Sequence, residues 1–163
     1  MTGPEEMRAL FGACPTPVAV VTAFDAAGGP CGMTCNSVSS VSLHPPTLLV
    51  CLSTGSRTMA AVTAAGAFAV NFLAAGAAAV AREFATSRPD KFAVVAYAGG
   101  ASPVLLDDVV GWARCTVVGA VPGAEDHTIV LGEVHETRAF DAPPLVYFHR
   151  AYVDWPPVRV EPR

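Results

Sequence analysis

The sequence predicts a mainly β fold, a barrel of six or more mostly antiparallel strands with short helical insertions. Three observations carry that expectation. Short β-branched or continuously apolar runs recur along the 163 residues, each closed by Gly, Pro or polar turn residues. Successive runs are separated at hairpin spacing. The helical patterns between them are few and short.

Residues 18–23 (VAVVTA) form the first strand, and the turn at 25–30 returns the chain into a second at 31–37. Alternation at 40–43 stops at His44-Pro45-Pro46. Residues 47–52 (TLLVCL) are a continuous apolar run of strand length, which predicts burial on both faces. A polar turn at 53–57 leads into a helix over 58–65, then a strand at 68–73 and a helix at 77–84. Gly66, Asn71 and Gly76 break the alanine-rich stretch 60–81, so it reads as helix, strand and helix and not as one membrane span. Strands at 112–121 and 128–136 flank the turn 122–127, and a last short strand covers 145–147. The chain is expected to be one domain over 1–163, with its core at about 8–152 and a Pro-rich tail at 153–163 that matches no regular element.

Charged residues make up 15% of the chain, against roughly 25% in ordinary soluble domains. So little charge points to surface hidden against a dimer partner or a flat cofactor. The net charge of −4 and the absence of any basic run argue against nucleic acid. The acidic start Glu5-Glu6 is unlike a signal peptide, and five cysteines without one do not suggest a disulfide framework. A cytoplasmic protein that does not bind a membrane is therefore expected. Lys91 is the only lysine, beside nine arginines.

No G-x-G-x-x-G, P-loop or G-x-S-x-G motif occurs. Cys31 and Cys35 form a lone C-x3-C without a second pair, so they read as small packing residues and no metal site is expected. His44 reads as a loop residue and His135 as a solvent-facing strand residue, while His149 could bond a neighbouring loop. His127 follows Asp126 at a hairpin tip, a position open to ligand contact, though taken alone the pair reads as a turn. Thr34-Cys35-Asn36-Ser37 sets hydroxyls and an amide between apolar strands, a row able to bond the polar edge of a flat heterocycle. Ser53-Thr54-Gly55-Ser56-Arg57-Thr58 offers hydroxyls, a guanidinium and helix-start N–H groups to a phosphate. Taken alone, that piece reads as a helix cap followed by a solvated arginine.

In order along the chain stand Pro17-Val18-Ala19-Val20-Val21-Thr22, Gly32-Met33-Thr34-Cys35-Asn36-Ser37 and Ser40-Val41-Ser42-Leu43-His44-Pro45-Pro46. Val50-Cys51-Leu52, Ser56-Arg57-Thr58, Phe68-Ala69-Val70-Asn71, Asp90-Lys91-Phe92 and Asp126-His127 follow. With Leu131-Gly132-Glu133-Val134 and residues 147–152, this series resembles the short-chain flavin reductase family, the FMN-binding split-barrel proteins, from about residue 8 to 152. The resemblance implies a six-stranded antiparallel Greek-key split barrel and a homodimer. It implies an NAD(P)H:flavin oxidoreductase that passes hydride from NADH or NADPH to FMN or FAD and supplies reduced flavin to a partner monooxygenase. By position, Thr34, Asn36 and Ser37 would bond the ring or ribityl chain, and Cys51, Leu52 and Ser53 would present backbone groups to the ring. Ser56, Arg57 and Thr58 would hold the phosphate, with Phe84 and Lys91 closing the site. His127 would approach the nicotinamide and Tyr152 would lie over the same pocket. The turn reads Glu125-Asp126-His127 where the family usually has a glycine first. That departure supports an alternative, a flavin-binding split barrel without NAD(P)H activity that serves as a carrier or tailoring enzyme. A haem-binding barrel is a third reading, but it leaves the hydroxyl-rich segments without a purpose.

Overall fold

A computed structural model describes residues 2–123 and 125–155 of the protein. Strands β2 (Ala19–Phe24) and β3 (Pro30–Cys35) form the expected hairpin. Asp25 closes its turn, with Oδ1 accepting from Ala27 N and Gly29 N at 3.0 and 2.9 Å. Strands β4 (Val38–Leu43), β5 (Pro46–Ser53) and β6 (Ala67–Leu73) follow, then the long β9 (Val109–Pro122) and β10 (His127–Ala139). All seven pair antiparallel in the order β3-β2-β6-β9-β10-β5-β4. The main sheet thus has one strand more than the six the resemblance implied.

The sheet curls until β3 stands beside β5, where the Cys35 thiol reaches the Cys51 carbonyl at 3.5 Å. No ladder joins these two strands; the pairing of β4 with β5 starts one residue past the Ser37 O bond from Cys51 N, at Val38↔Val50. The barrel is therefore split between β3 and β5, and the end of β5 beyond Val50 keeps β10 alone as a neighbour.

Two helices follow the expected spans closely, α2 (Arg57–Ala65) and α3 (Ala78–Phe84). Helix α1 (Pro4–Gly12) was not expected, although Pro4 at its first position and Glu5-Glu6 in its first turn are ordinary start signals. A 3-10 turn at Lys91–Val94 and the small ladder β7 (Tyr97–Ala98) with β8 (Val104–Leu105) also went unforeseen. A minor sheet joins β1 (Thr16–Pro17), β11 (Leu145–Phe148) and β12 (Ala151–Asp154). Residues 153 and 154 of the expected irregular tail thus belong to a strand, while 156–163 lie outside the described residues.

Two apolar clusters meet at β2. Ala19, Val21 and Ala23 face the barrel interior with Val50, Leu52, Val62, Phe68, Val70 and Val130. Val18 and Val20 face outward into a second cluster with Leu73, Ala81, Phe84, Leu105 and Leu145. Burial on both faces was expected of 47–52, and here the structure corrects the sequence reading. In β5 only Leu48, Val50 and Leu52 are buried, alternating with partly exposed Thr47, Leu49 and Cys51. The physical reason is cover: α2 and α3 both pack on β2, whereas among the described residues the outward side chains Thr47, Leu49 and Cys51 of β5 stay only partly covered. Gly132 is required on β10, since a Cβ there would lie 2.5 Å from the Phe68 ring. Among the described residues no helix is long and apolar enough to cross a membrane.

Candidate flavin cleft at the barrel split

A cavity of about 430 Å³ opens along the split. Residues 31–34 of β3 line one side and Ser53, Gly55, Ser56, Arg57 and Thr58 the other. Phe84, the loop 85–89, Lys91 and Phe92 form the third wall.

The Ser53–Thr58 wall is locally made. Ser56 caps α2, its hydroxyl accepting from Met59 N at 3.0 Å, and Ser56 N donates to Ser53 O at 3.0 Å. The first N–H groups of a helix lack intrahelical acceptors and carry the positive end of its dipole, so an anion is at home there. Arg57, the first residue of α2, is exposed and forms no ion pair among the described residues.

The opposite wall is held by tertiary bonds. The Thr34 hydroxyl donates to Ala81 O at 2.6 Å and ties β3 to α3. Gly32 admits the Phe84 ring; a Cβ there would lie 3.1 Å from that ring and 2.9 Å from Val21 O. Lys91 is 9% exposed, with Nζ donating to Gly32 O at 3.0 Å and to Phe84 O at 3.1 Å. Burial pushes the Lys91 pKa below the usual lysine range, partly opposed by Glu83 and reinforced by Arg57. Arg88 at the rim is engaged by Asp90 at 3.1 Å and Glu83 at 3.7 Å, and its hydrogen bond holds the Asp90 carboxyl below its ordinary range. The cavity thus presents two cations, Arg57 and Lys91, that no carboxylate within it neutralises. An anionic ligand is the complement.

Of the residues singled out in the sequence, Thr34, Ser53, Ser56, Arg57, Thr58, Phe84 and Lys91 all line this cavity. Others stand around it. Asn36 and Ser37 are exposed just past the end of β3, with Asn36 Nδ2 donating to Thr16 Oγ1 at 3.3 Å. Cys51 is half-buried, and the Leu52 side chain is wholly inside the barrel. His127 pairs with Ser53 across β10 and β5, which sets it one strand over from the cleft-lining Ser53, and it does not itself line the cavity. Its Nδ1 lies 3.0 Å from Asp126 Oδ1, a bond that lowers the Asp126 pKa, and Asp126 O accepts from Thr54 N at 2.9 Å. Tyr152 lies away from the lining, its ring 5.5 Å from Tyr147 and 5.9 Å from the Arg82 guanidinium.

Sequence reasoning missed the loop 85–89 and Phe92. Their signal was a polar, Pro-containing stretch directly before the only lysine. Cys31, Cys35 and Cys115 are buried in the barrel, and burial pushes Cys35 up to about 11 and Cys115 up to about 12. They stay protonated at neutral pH, so none supplies a nucleophile. Positioning of bound rings, not side-chain attack, is the chemistry this cleft can perform.

A split barrel whose cleft presents cations without facing carboxylates defines a class of proteins able to take an anionic ligand between strand ends. The flavin reductase like domain model matches residues 11–156, and the chain belongs to that family of oxidoreductases. It is 45% identical over 158 residues to a flavin reductase (NADPH) of Lentzea aerocolonigenes, covering 92% of this chain and 89% of that one. It is 42% identical to a flavin reductase (NADH) of Kitasatospora aureofaciens, covering 94% and 82%. Among solved structures, the nitrilotriacetate monooxygenase component B homolog of Mycobacterium thermoresistibile superposes with a TM-score of 0.88 at 30% identity, covering 98% and 90%.

Proposed function

We propose that the protein is an NAD(P)H:flavin oxidoreductase that binds FMN or FAD in this cleft and hands reduced flavin to a separate monooxygenase. The observation that carries the reading is the pair of cations, Arg57 and Lys91, in a cavity that no carboxylate lines and that also presents hydroxyls of Thr34, Ser56 and Thr58 and the rings of Phe84 and Phe92. That donor set fits a flavin: an aromatic ring system with one phosphate common to FMN and FAD. The bound flavin supplies the hydride-accepting ring.

The chain's own residues do the rest. Arg57 and the N–H groups at the start of α2 hold the phosphate, with Ser56 and Thr58 beside them. Lys91 spends two N–H groups on Gly32 O and Phe84 O and keeps the third for the ligand. Thr34 donates to Ala81 O, so its hydroxyl acts toward the flavin as an acceptor. Asn36, Ser37 and the backbone of 51–53 line the ring's polar edge. His127, oriented by Asp126 one strand over from Ser53, positions the nicotinamide, and Tyr152 flanks its approach.

We take the chain as a single domain with its core at about 8–152. The partly covered outer face of β5 and exposed Val41, Leu43, Val118 and Val121 on β4 and β9 support a homodimer. Five free cysteines support the cytoplasm as its compartment.

The test is NADH or NADPH oxidation at 340 nm with FMN and then FAD, which also names the preferred pair. Flavin binding without nucleotide oxidation would replace this reading with the carrier alternative. Arg57→Ala is expected to weaken flavin binding by about 1–3 kcal/mol, read by fluorescence titration. Unchanged affinity would remove Arg57 from the phosphate. His127→Ala is expected to raise the nucleotide KM several-fold at unchanged flavin affinity; a loss of flavin binding instead would move the residue to the flavin itself.

A further inference from the structure

Asn71 is wholly buried in β6, away from the cleft, and every polar atom of its side chain is used. Its Nδ2 donates to Val20 O at 2.9 Å and to Thr22 Oγ1 at 3.1 Å, and its Oδ1 accepts from Leu105 N at 2.8 Å. Thr22, also wholly buried, donates in turn to Pro103 O at 2.5 Å. Two side chains of the barrel thus grip one short segment, residues 103–105. A third grips the residues just before it, from β9. Arg114 Nε donates to Ser102 O at 3.1 Å and a terminal nitrogen donates to Gly99 O, while Glu136 at 2.6 Å fixes the guanidinium.

The gripped segment leads to the cleft. β8 pairs with β7 through Tyr97↔Leu105 and Ala98↔Val104, and Leu106 N donates to Ala96 O at 3.1 Å. The Tyr97 ring meets Phe92 edge-on at 5.2 Å, and Phe92 meets Phe84 edge-on at 5.1 Å. Phe84, Phe92 and their neighbour Lys91 all line the cavity. Besides the bonds of Lys91 to Gly32 O and Phe84 O, this wall leans on a neighbouring segment. Its 3-10 turn rests on the strap 95–106, and the strap rests on Asn71, Thr22 and Arg114.

We infer that Asn71 and Arg114 are positioning residues of the flavin site, clamping the strap 99–105 to the barrel and thereby holding Lys91 and Phe92 against the cleft. The inference rests on the flavin reading of the cleft. A buried, fully satisfied network is costly to break, and an unclamped segment opens locally without global unfolding. A wall that opens locally lowers ligand affinity and leaves the chemistry of the filled site intact.

The test compares Arg114→Gln and Asn71→Ala with wild type in flavin KM, kcat at saturating flavin, and amide hydrogen exchange over residues 91–106. Loss of the two charge-assisted bonds to the strap, together with the Glu136 pair, in Arg114→Gln is expected to raise flavin KM about tenfold, with kcat within about twofold. Exchange should quicken in 91–106 while the β9–β10 ladder stays protected, and Arg114→Lys should recover part of the KM change. Should Asn71→Ala fail to fold, Arg114→Gln carries the test, since that side chain is 16% exposed and outside both cores. Wild-type exchange over 91–106, an unchanged flavin KM despite faster exchange, or a fall in kcat at unchanged KM would each overturn the inference. A wild-type enzyme that neither binds nor reduces flavin would overturn the cleft reading and this inference with it, and the exchange data would still report whether the clamp exists.

Discussion

The two walls of the cleft are built in different ways. The Ser53–Thr58 wall is six consecutive residues, a strand end, a turn and a capped helix start, and its key bonds span three residues. The wall of β3, α3 and the 3-10 turn joins residues distant in sequence: Thr34 with Ala81, and Lys91 with Gly32. The first wall is a local structure that would form in outline wherever the segment folds. The second exists only once the barrel has closed. A defect in the first should cost little and stay local, whereas one in the second should disturb both the fold and the ligand.

Gly32→Ala is the severest way to break that contrast. The added methyl meets a backbone carbonyl and the Phe84 ring, so a loss of about 3 kcal/mol in unfolding free energy is expected, with flavin binding lost alongside. A variant as stable as wild type would mean that the β3 wall yields easily. Lys91→Met comes next. It leaves two buried carbonyls unpaired, at about 1–3 kcal/mol, measured by denaturant titration.

The same substitution sharpens the electrostatics. Because burial lowers the Lys91 pKa from the ordinary lysine value of 10.5, the ammonium gives up its proton at a lower pH than an exposed lysine does. Attraction for the flavin phosphate is full below that lowered pKa and lost as pH rises through it. Flavin affinity should therefore fall on the alkaline side in wild type, and Lys91→Met should lack this fall. Equal pH profiles would take the ammonium out of phosphate binding. Ser56→Ala is the mildest change: about 1 kcal/mol of stability from the lost cap, with the opposite wall undisturbed. A loss much larger than that would show that the local wall too depends on the barrel.

How much could be read in advance follows the same division. The strands at 18–23, 68–73, 112–121 and 128–136 and both helices that touch the cleft were legible, because β-branched runs and turn residues act over a few positions. So was the Ser53–Thr58 wall. The burial of β5 was misread, since a continuous apolar run cannot tell which face another element will cover. Helix α1 has start signals in Pro4, Glu5 and Glu6 but buries no residue, so no apolar face marks it in the sequence. Asn36, Tyr152 and Lys91 were grouped by resemblance, yet of the three only Lys91 lines the cavity; Asn36 is bonded to Thr16 and Tyr152 packs on Tyr147 away from the lining.

The sequence by itself determined a β-rich barrel, a capped helix after a polar turn and a charge pattern with one lysine. These follow from propensities and caps that depend on neighbours within a few residues. Only the tertiary structure decided that β3 would stand beside β5 with no ladder between them, that Lys91 would lose its solvent to two carbonyls, and that Asn71 would hold a strap thirty-odd residues away. Each of these depends on long-range closure of the chain, where a bond's partner is chosen by the whole packing and not by the residues beside it.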